Sequence, residues 1–119
     1  LTVDRTQWFD PEFVAEDLAN TRAWAASGAR LVGAYDYYEG ATFFVPRPMH
    51  GVIARSIPEL FRAGVRVFYA ESGGPNWGLD GPKQWLAAQL LWNPRADPAA
   101  LLDLYYRDFW RESAAPMRA

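Results

Sequence analysis

From Asp10 to about Ser27 the apolar residues Phe13, Val14, Leu18, Trp24 and Ala25 recur at helical spacing, with the small Thr21 between them. Asp10 stands where a helix cap belongs. Pro11 takes the first helical position, where a missing N–H costs nothing, and Gly28 supplies the stop. The period then disappears. ARLVGAYDYY, residues 29–38, is a nearly continuous apolar and aromatic run, the pattern of a parallel strand covered on both faces. EGATFFVPRPMHG, residues 39–51, mixes glycine, two prolines and aromatics without a period and reads as a loop. IARSIPELFRAG, residues 53–64, reads as a second helix in which Pro58 marks the first turn or a kink, and GVRVFYAE, residues 64–71, as a second strand. SGARLVGAYD and AGVRVFYAE place Gly, Arg, an apolar run and an acid in comparable order, a weak internal repeat of one αβ unit.

Beyond Gly81 the pattern is helical. GPKQWLAAQLLWNP is one helix ended by Asn93-Pro94, and DPAALLDLYYRDFW is another with Asp97 as cap and Pro98 first; ESAAPMRA begins a third. Trp85, Leu86, Leu90, Leu91, Leu101, Leu104, Tyr105 and Trp110 fall on helical spacings and are expected in the core. Short helix-to-strand links imply parallel strands with right-handed crossovers. Two such strands cannot bury both faces and satisfy both edges, so further strands are expected from elsewhere. The predicted class is α/β: residues 1–81 as β/α units of an incomplete (β/α) TIM barrel with two parallel strands, and residues 82–119 as C-terminal helices packing on it. An open doubly wound sheet is the alternative, but no GxGxxG or P-loop spacing follows either strand, and SGGPNWG has no lysine to cradle phosphate. With no initiating Met and an end within a helical pattern, the chain reads as a piece of a longer polypeptide, inactive by itself.

Composition narrows the chemistry. Half of the 119 residues are hydrophobic, enough for a real core. A formal charge of -2 without a Lys/Arg cluster argues against nucleic acid and anionic lipid as partners. The absence of cysteine removes disulfides, thiolate nucleophiles and zinc–thiolate sites and leaves the compartment open, export included. No apolar run approaches the roughly 18 residues of a membrane span.

In a barrel, chemistry sits where strands end and loops begin. Glu71 stands there in VFYAESGGPNWGLDG, residues 67–81, and Asp36 holds the comparable place after LVGAY. Two carboxyls on neighbouring strand ends are what glycoside hydrolysis requires, one protonating the leaving oxygen and one acting as nucleophile or base. Glu71 and Asp36 are therefore the catalytic candidates, and Tyr37, Tyr38, Glu39, His50 and Trp77 the substrate-binding ones, with Phe43, Phe44 and Tyr69 nearby. Flat rings suit the apolar faces of sugars as well as they suit a core. Each residue has a plainer role: Glu71 paired with Arg47 or Arg66, Asp36 and Glu39 bonded to loop backbone, His50 as a cap, Trp77 as a loop anchor. A metal site from Asp36, His50, Glu71 and Asp80 has no supporting ligand spacing, no Ser/His/Asp triad is legible, and no cofactor is expected.

QWLAAQLLWNPRADPAALLDLYYRDFWRESAAPMR, with YDYY, the G-V-x-x-x-(Y/F)-x-E strand and PNWGLDGPK upstream, resembles the C-terminal segment of an uncharacterised bacterial family of glycoside-hydrolase-like barrels, a domain of unknown function. The similarity covers roughly residues 20 to 118, and the LLWNP...D...LL element is its most distinctive part. The resemblance implies a TIM barrel related to the hexosaminidase and α-glucuronidase clans, acting on oligo- or polysaccharide and completed by the remainder of the barrel. Only Glu71 and Tyr35 to Tyr38 match positions where such barrels build a sugar site. A degenerate barrel that binds carbohydrate without cleaving it, and a structural helical module whose aromatics are all core, are the alternatives.

Overall fold

The computed structural model describes residues 1–39, 47–72 and 77–118, with the side chains of Trp77 and Leu79 excepted. Helix α1 is Pro11–Ala26, and its first turn is built as the sequence requires: the Asp10 carboxylate accepts the Glu12 N–H and Pro11 opens the helix. Val14, Leu18 and Thr21 are buried, and so is Asp17, whereas Trp24 is 56 % exposed. The inward stripe of this helix thus includes a carboxylate, which an apolar count along the sequence passes over.

Strand β1, Gly33–Tyr37, pairs in parallel with β2, Val67–Glu71, in the register Gly33–Val67, Tyr35–Tyr69 and Tyr37–Glu71. A third segment lies along the other edge of β1. The Tyr35 N–H donates 2.7 Å to the Leu1 carbonyl, the Val3 N–H donates 3.2 Å to the Tyr35 carbonyl, and Thr2 pairs in parallel with Tyr35. Three residues are too few to carry a period, so the sequence gives no sign of this segment. The spatial order, residues 1–3, β1, β2, is the chain order, with α1 and then helix α2, His50–Arg62, as the crossovers.

Alternation gives the sheet two unlike faces. Ala34, Asp36, Phe68 and Ala70 point to the helices, where Phe68 and Ala70 pack against the core made by Tyr38, Met49, Ile53, Ile57, Leu86, Ala87 and Leu90. Gly33, Tyr35, Tyr37, Val67, Tyr69 and Glu71 form the opposite face, on which Val67 is 51 % and Tyr69 58 % exposed. Coverage on both faces was the expectation for β1; among the described residues its helical side is buried, and Gly33, Tyr35 and Tyr37 on the other side are half-buried.

Helix α2 begins three residues ahead of the expected start, in the Pro48-Met49-His50 stretch, and runs through Pro58, which removes one backbone bond without ending the helix. Gly64 follows at φ +110°, with the position of a Cβ only 2.7 Å from that of Ala25; a left-handed turn and close packing on α1 both demand glycine there. Helix α3, Trp77–Trp92, starts ahead of Gly81 and carries Pro82 inside it. Glycine and proline punctuate this stretch as a loop, yet residues 80–83 are all buried, and tertiary packing overrides their weak helix propensity. Asp97 caps helix α4, Pro98–Trp110, as its sequence indicates. Helix α4 packs on α3 through Trp85, Tyr105 and Phe109, whose rings succeed one another at 5.6 and 5.2 Å. Leu86 and Leu90 are fully buried; Leu91, expected with them, is 46 % exposed. A 3-10 turn, Arg111–Ser113, and a short helix α5, Ala114–Met117, complete the described chain.

Candidate functional site

The last residue of β2 is Glu71, directly opposite Tyr37, the last of β1. The Tyr35 hydroxyl donates 2.5 Å to Glu71 Oε1, and this bond, more than burial, holds the Tyr35 phenol protonated, pushing its pKa up from 10.0 to about 12. The Tyr35 ring meets Tyr37 edge-on at 5.3 Å and Tyr69 at 4.8 Å. A carboxylate fixed by a phenol is therefore set among three aromatic rings on the uncovered face. The Glu71 carbonyl also accepts the N–H groups of Tyr38 at 3.0 Å and Glu39 at 2.9 Å, so the chain leaving β1 is tied to the end of β2. Arg66 lies at the opposite end of β2, bonded to the Phe61 and Val65 carbonyls and stacked over the Phe61 ring.

Asp36 is not brought to Glu71. It points to the helices, is fully buried, and accepts the N–H of Tyr37 at 2.8 Å and that of Arg5 at 3.4 Å. Its Oδ2 lies 3.4 Å from Arg5 Nη1. Arg5, also fully buried, donates from Nε to Asp17 Oδ2 at 2.9 Å, and the Trp8 indole N–H donates to the same oxygen at 2.8 Å. Burial pushes the Asp36 carboxyl up, and Arg5 only partly opposes it. This Asp36–Arg5–Asp17–Trp8 network ties the first residues of the chain to α1 and β1 inside the molecule. Tyr38 also faces inward. It is 2 % exposed within the core cluster, its ring 6.0 Å from Phe68, and burial raises its hydroxyl pKa.

A second polar group gathers where β1 ends. Lys83 of α3 is 1 % exposed, and its Nζ lies 2.9 Å from Glu39 Oε1 and 2.8 Å from Asp80 Oδ1, with the carbonyls of Arg47 at 3.4 Å and Tyr38 at 3.5 Å. Asp80 and Lys83 are one helical turn apart, so α3 presents both together. Burial raises the Asp80 pKa, but hydrogen bonds with Lys83 and then with Glu39, together with the Lys83 charge, outweigh it and lower that pKa. His50 Nε2, at the start of α2, is buried without a hydrogen-bond partner among the described residues. Burial first, and the Lys83 charge second, lower the His50 pKa and favour its neutral form. Arg47 joins this end of the sheet through Tyr37 O at 3.3 Å and Asp4 Oδ1 at 3.4 Å.

Of the residues singled out in the sequence, Tyr37, Glu39 and Glu71 thus meet at the ends of β1 and β2, with His50 within range of the Lys83 charge beside them. Asp36 and Tyr38 turn inward. Trp77 opens α3, but its side chain, like Phe43 and Phe44, lies outside the described residues. Sequence reasoning passed over Lys83, Arg5 and Asp17 because nothing in a single chain marks a lysine as buried. The signal available was Asp80-x-x-Lys83, a spacing that pairs opposite charges on one helix face. Among the described residues no group of three or more His, Asp or Glu side chains gathers as a metal site, and no helix is long and apolar enough to cross a membrane.

No curated protein and no solved structure matches the chain. A family model, described as Domain of unknown function (DUF4838), matches residues 6–119. Covering nearly the whole length, that match makes this chain a member of the DUF4838 family.

Proposed function

We propose that this chain is the C-terminal portion of a carbohydrate-active (β/α) barrel that hydrolyses glycosidic bonds through carboxylate acid/base catalysis, with Glu71 as one of the two carboxyls. The observation that carries the reading is the Tyr35–Glu71 hydrogen bond of 2.5 Å at the carboxyl end of a parallel strand, on an uncovered sheet face bearing Tyr37 and Tyr69. Strands neighbouring in space in their chain order, with the described helices on one side, fit consecutive units of a barrel whose other face is its interior. On that face the rings of Tyr37 and Tyr69 offer stacking surface to a sugar, and Glu71 lies among them. Tyr35 fixes the direction of the Glu71 carboxylate, which is what proton transfer at a defined oxygen needs.

A second reading, a degenerate barrel that binds glycans without cleaving them, is favoured by one feature: among the described residues of the two strands, the uncovered face carries Glu71 as its single carboxylate, Asp36 being turned away. A glycan hydrolysis and binding screen of the full-length protein against its Glu71→Gln variant separates the two. Hydrolysis that falls by about 100-fold or more in a variant that still folds assigns Glu71 to the catalytic pair. Binding without cleavage in either form refutes the hydrolase in favour of the binding module.

A further inference from the structure

The edge of β2 away from β1 is open among the described residues. In a parallel ladder every second residue bonds to a given neighbour. The Val67 N–H donates to the Val32 carbonyl at 3.4 Å and the Glu71 carbonyl accepts the Tyr38 N–H, so the backbone groups of Val67, Tyr69 and Glu71 serve β1. Those of Phe68 and Ala70 point the other way, where no strand lies among the described residues. Beside this edge runs a cleft of about 270 Å³, walled by Leu60 and Phe61 of α2, Val67 and Phe68 of β2, and Leu90 and Leu91 of α3. Arg66, also on its wall, is bonded to the Phe61 and Val65 carbonyls, so the cleft calls for an apolar occupant. Unpaired amides and carbonyls in a row beside an apolar floor are the chemistry that takes an extended strand.

The connections identify the strand. Helix α1 carries the chain from residues 1–3 to β1, and α2 carries it from β1 to β2, each as the crossover between parallel neighbours. Helix α3 leaves β2 in the same way and packs on α2 through Leu86, Ala87 and Leu90, but at Asn93-Pro94 the chain turns into α4, which packs on α3. The place that a crossover by α3 would fill, on the free edge of β2, is therefore left to another part of the molecule. We infer that this edge is the closing seam of the barrel: Phe68 and Ala70 pair in parallel with an apolar strand that the same polypeptide supplies from outside residues 1–119. That strand runs the way β2 runs, so it ends beside Glu71 and contributes the side chain next to it on the aromatic face. The seam rests on the barrel architecture proposed above and is independent of the glycosidase chemistry.

Amide hydrogen exchange of the full-length protein, read residue by residue by mass spectrometry, tests the seam, with light scattering on the same sample to give the oligomeric state. In the monomer, Phe68 and Ala70 are expected to exchange within about tenfold of Tyr69, whose N–H faces β1. Exchange at Phe68 and Ala70 more than tenfold faster than at Tyr69 overturns the seam. Protection that is present only in an oligomer and is lost on dilution also overturns it, and assigns the edge to a second copy. The glycan screen is decided separately. A protected edge in a protein that neither hydrolyses nor binds glycans keeps the seam and overturns the carbohydrate reading; an open edge with Glu71-dependent hydrolysis overturns the seam and keeps the chemistry.

Discussion

Replacing Arg5 by Met leaves two carboxylates facing each other's charge with no cation between them. Asp36 is fully buried and Asp17 6 % exposed, and Arg5 is the basic side chain that contacts both. Removing one partner of a buried ion pair costs about 3–5 kcal/mol, because an uncompensated charge is left behind. With two carboxylates orphaned, the upper part of that range applies, against a total stability of about 5–15 kcal/mol for an ordinary domain. At about 2–4 °C per kcal/mol for a domain the size of a whole barrel, the melting temperature should fall by roughly 8–20 °C. Urea unfolding of the full-length protein, followed by tryptophan fluorescence, reads the loss, because the Trp8 indole is bonded to Asp17 and reports on this network. Acid should partly rescue the variant. The folded-state pKa of Asp36 already lies above its ordinary 3.8, and without Arg5 the main force opposing that rise is gone. A raised carboxyl lends stability that is complete below its unfolded pKa and is lost as pH rises through its folded one, so Arg5→Met should be relatively more stable near pH 4 than at pH 7. A loss below about 1 kcal/mol would refute the ion-network account, since a methionine that merely packs as well as arginine is expected only where no buried charge is stranded. So would the failure of Arg5→Met/Asp17→Asn/Asp36→Asn to regain part of the lost stability.

Four further outcomes follow from the geometry. Asp36→Asn keeps an acceptor for the Tyr37 N–H and should leave any glycan hydrolysis within a few-fold of the unaltered protein, in contrast to Glu71→Gln; equal losses in a kinetic comparison would contradict the inward placement of Asp36. The Tyr35 hydroxyl, titrated by NMR, should lose its proton near 12 and move back toward 10 in Glu71→Gln; the stability contributed by its bond is complete below 10 and lost as pH rises through 12. His50, with its pKa lowered, contributes stability that is present above 6.5 and is lost as pH falls through its folded value, so His50→Gln should flatten the stability profile just below pH 6.5 in a thermal-melt series. Asp97→Ala removes the acceptor of the Ala99 N–H and should cost about 1 kcal/mol in chemical denaturation.

The sequence by itself determined the elements whose causes are local. The caps Asp10-Pro11 and Asp97-Pro98, the stop at Gly28 and the two strand cores follow from groups within a few residues of one another, and each stands where its residues indicate. Glu71 at the end of a strand was legible for the same reason: a strand pattern that stops at an acid is a local fact. What only the tertiary structure decided was which side of the sheet each side chain serves and which charges meet. Asp36 and Glu71 are equivalent in the sequence as acids ending apolar runs, yet Asp36 is one residue out of phase with Tyr37, the partner of Glu71, and in a strand one residue reverses the face. Likewise Arg5, Asp17 and Lys83 look like surface charges until segments 12 to 44 residues apart converge, and burial is then tolerated because each charge finds its opposite. The pairing of residues 1–3 with β1, and the helical start of α3 through Gly81-Pro82, have the same origin: hydrogen bonds and packing supplied by distant parts of the chain outweigh weak local preferences.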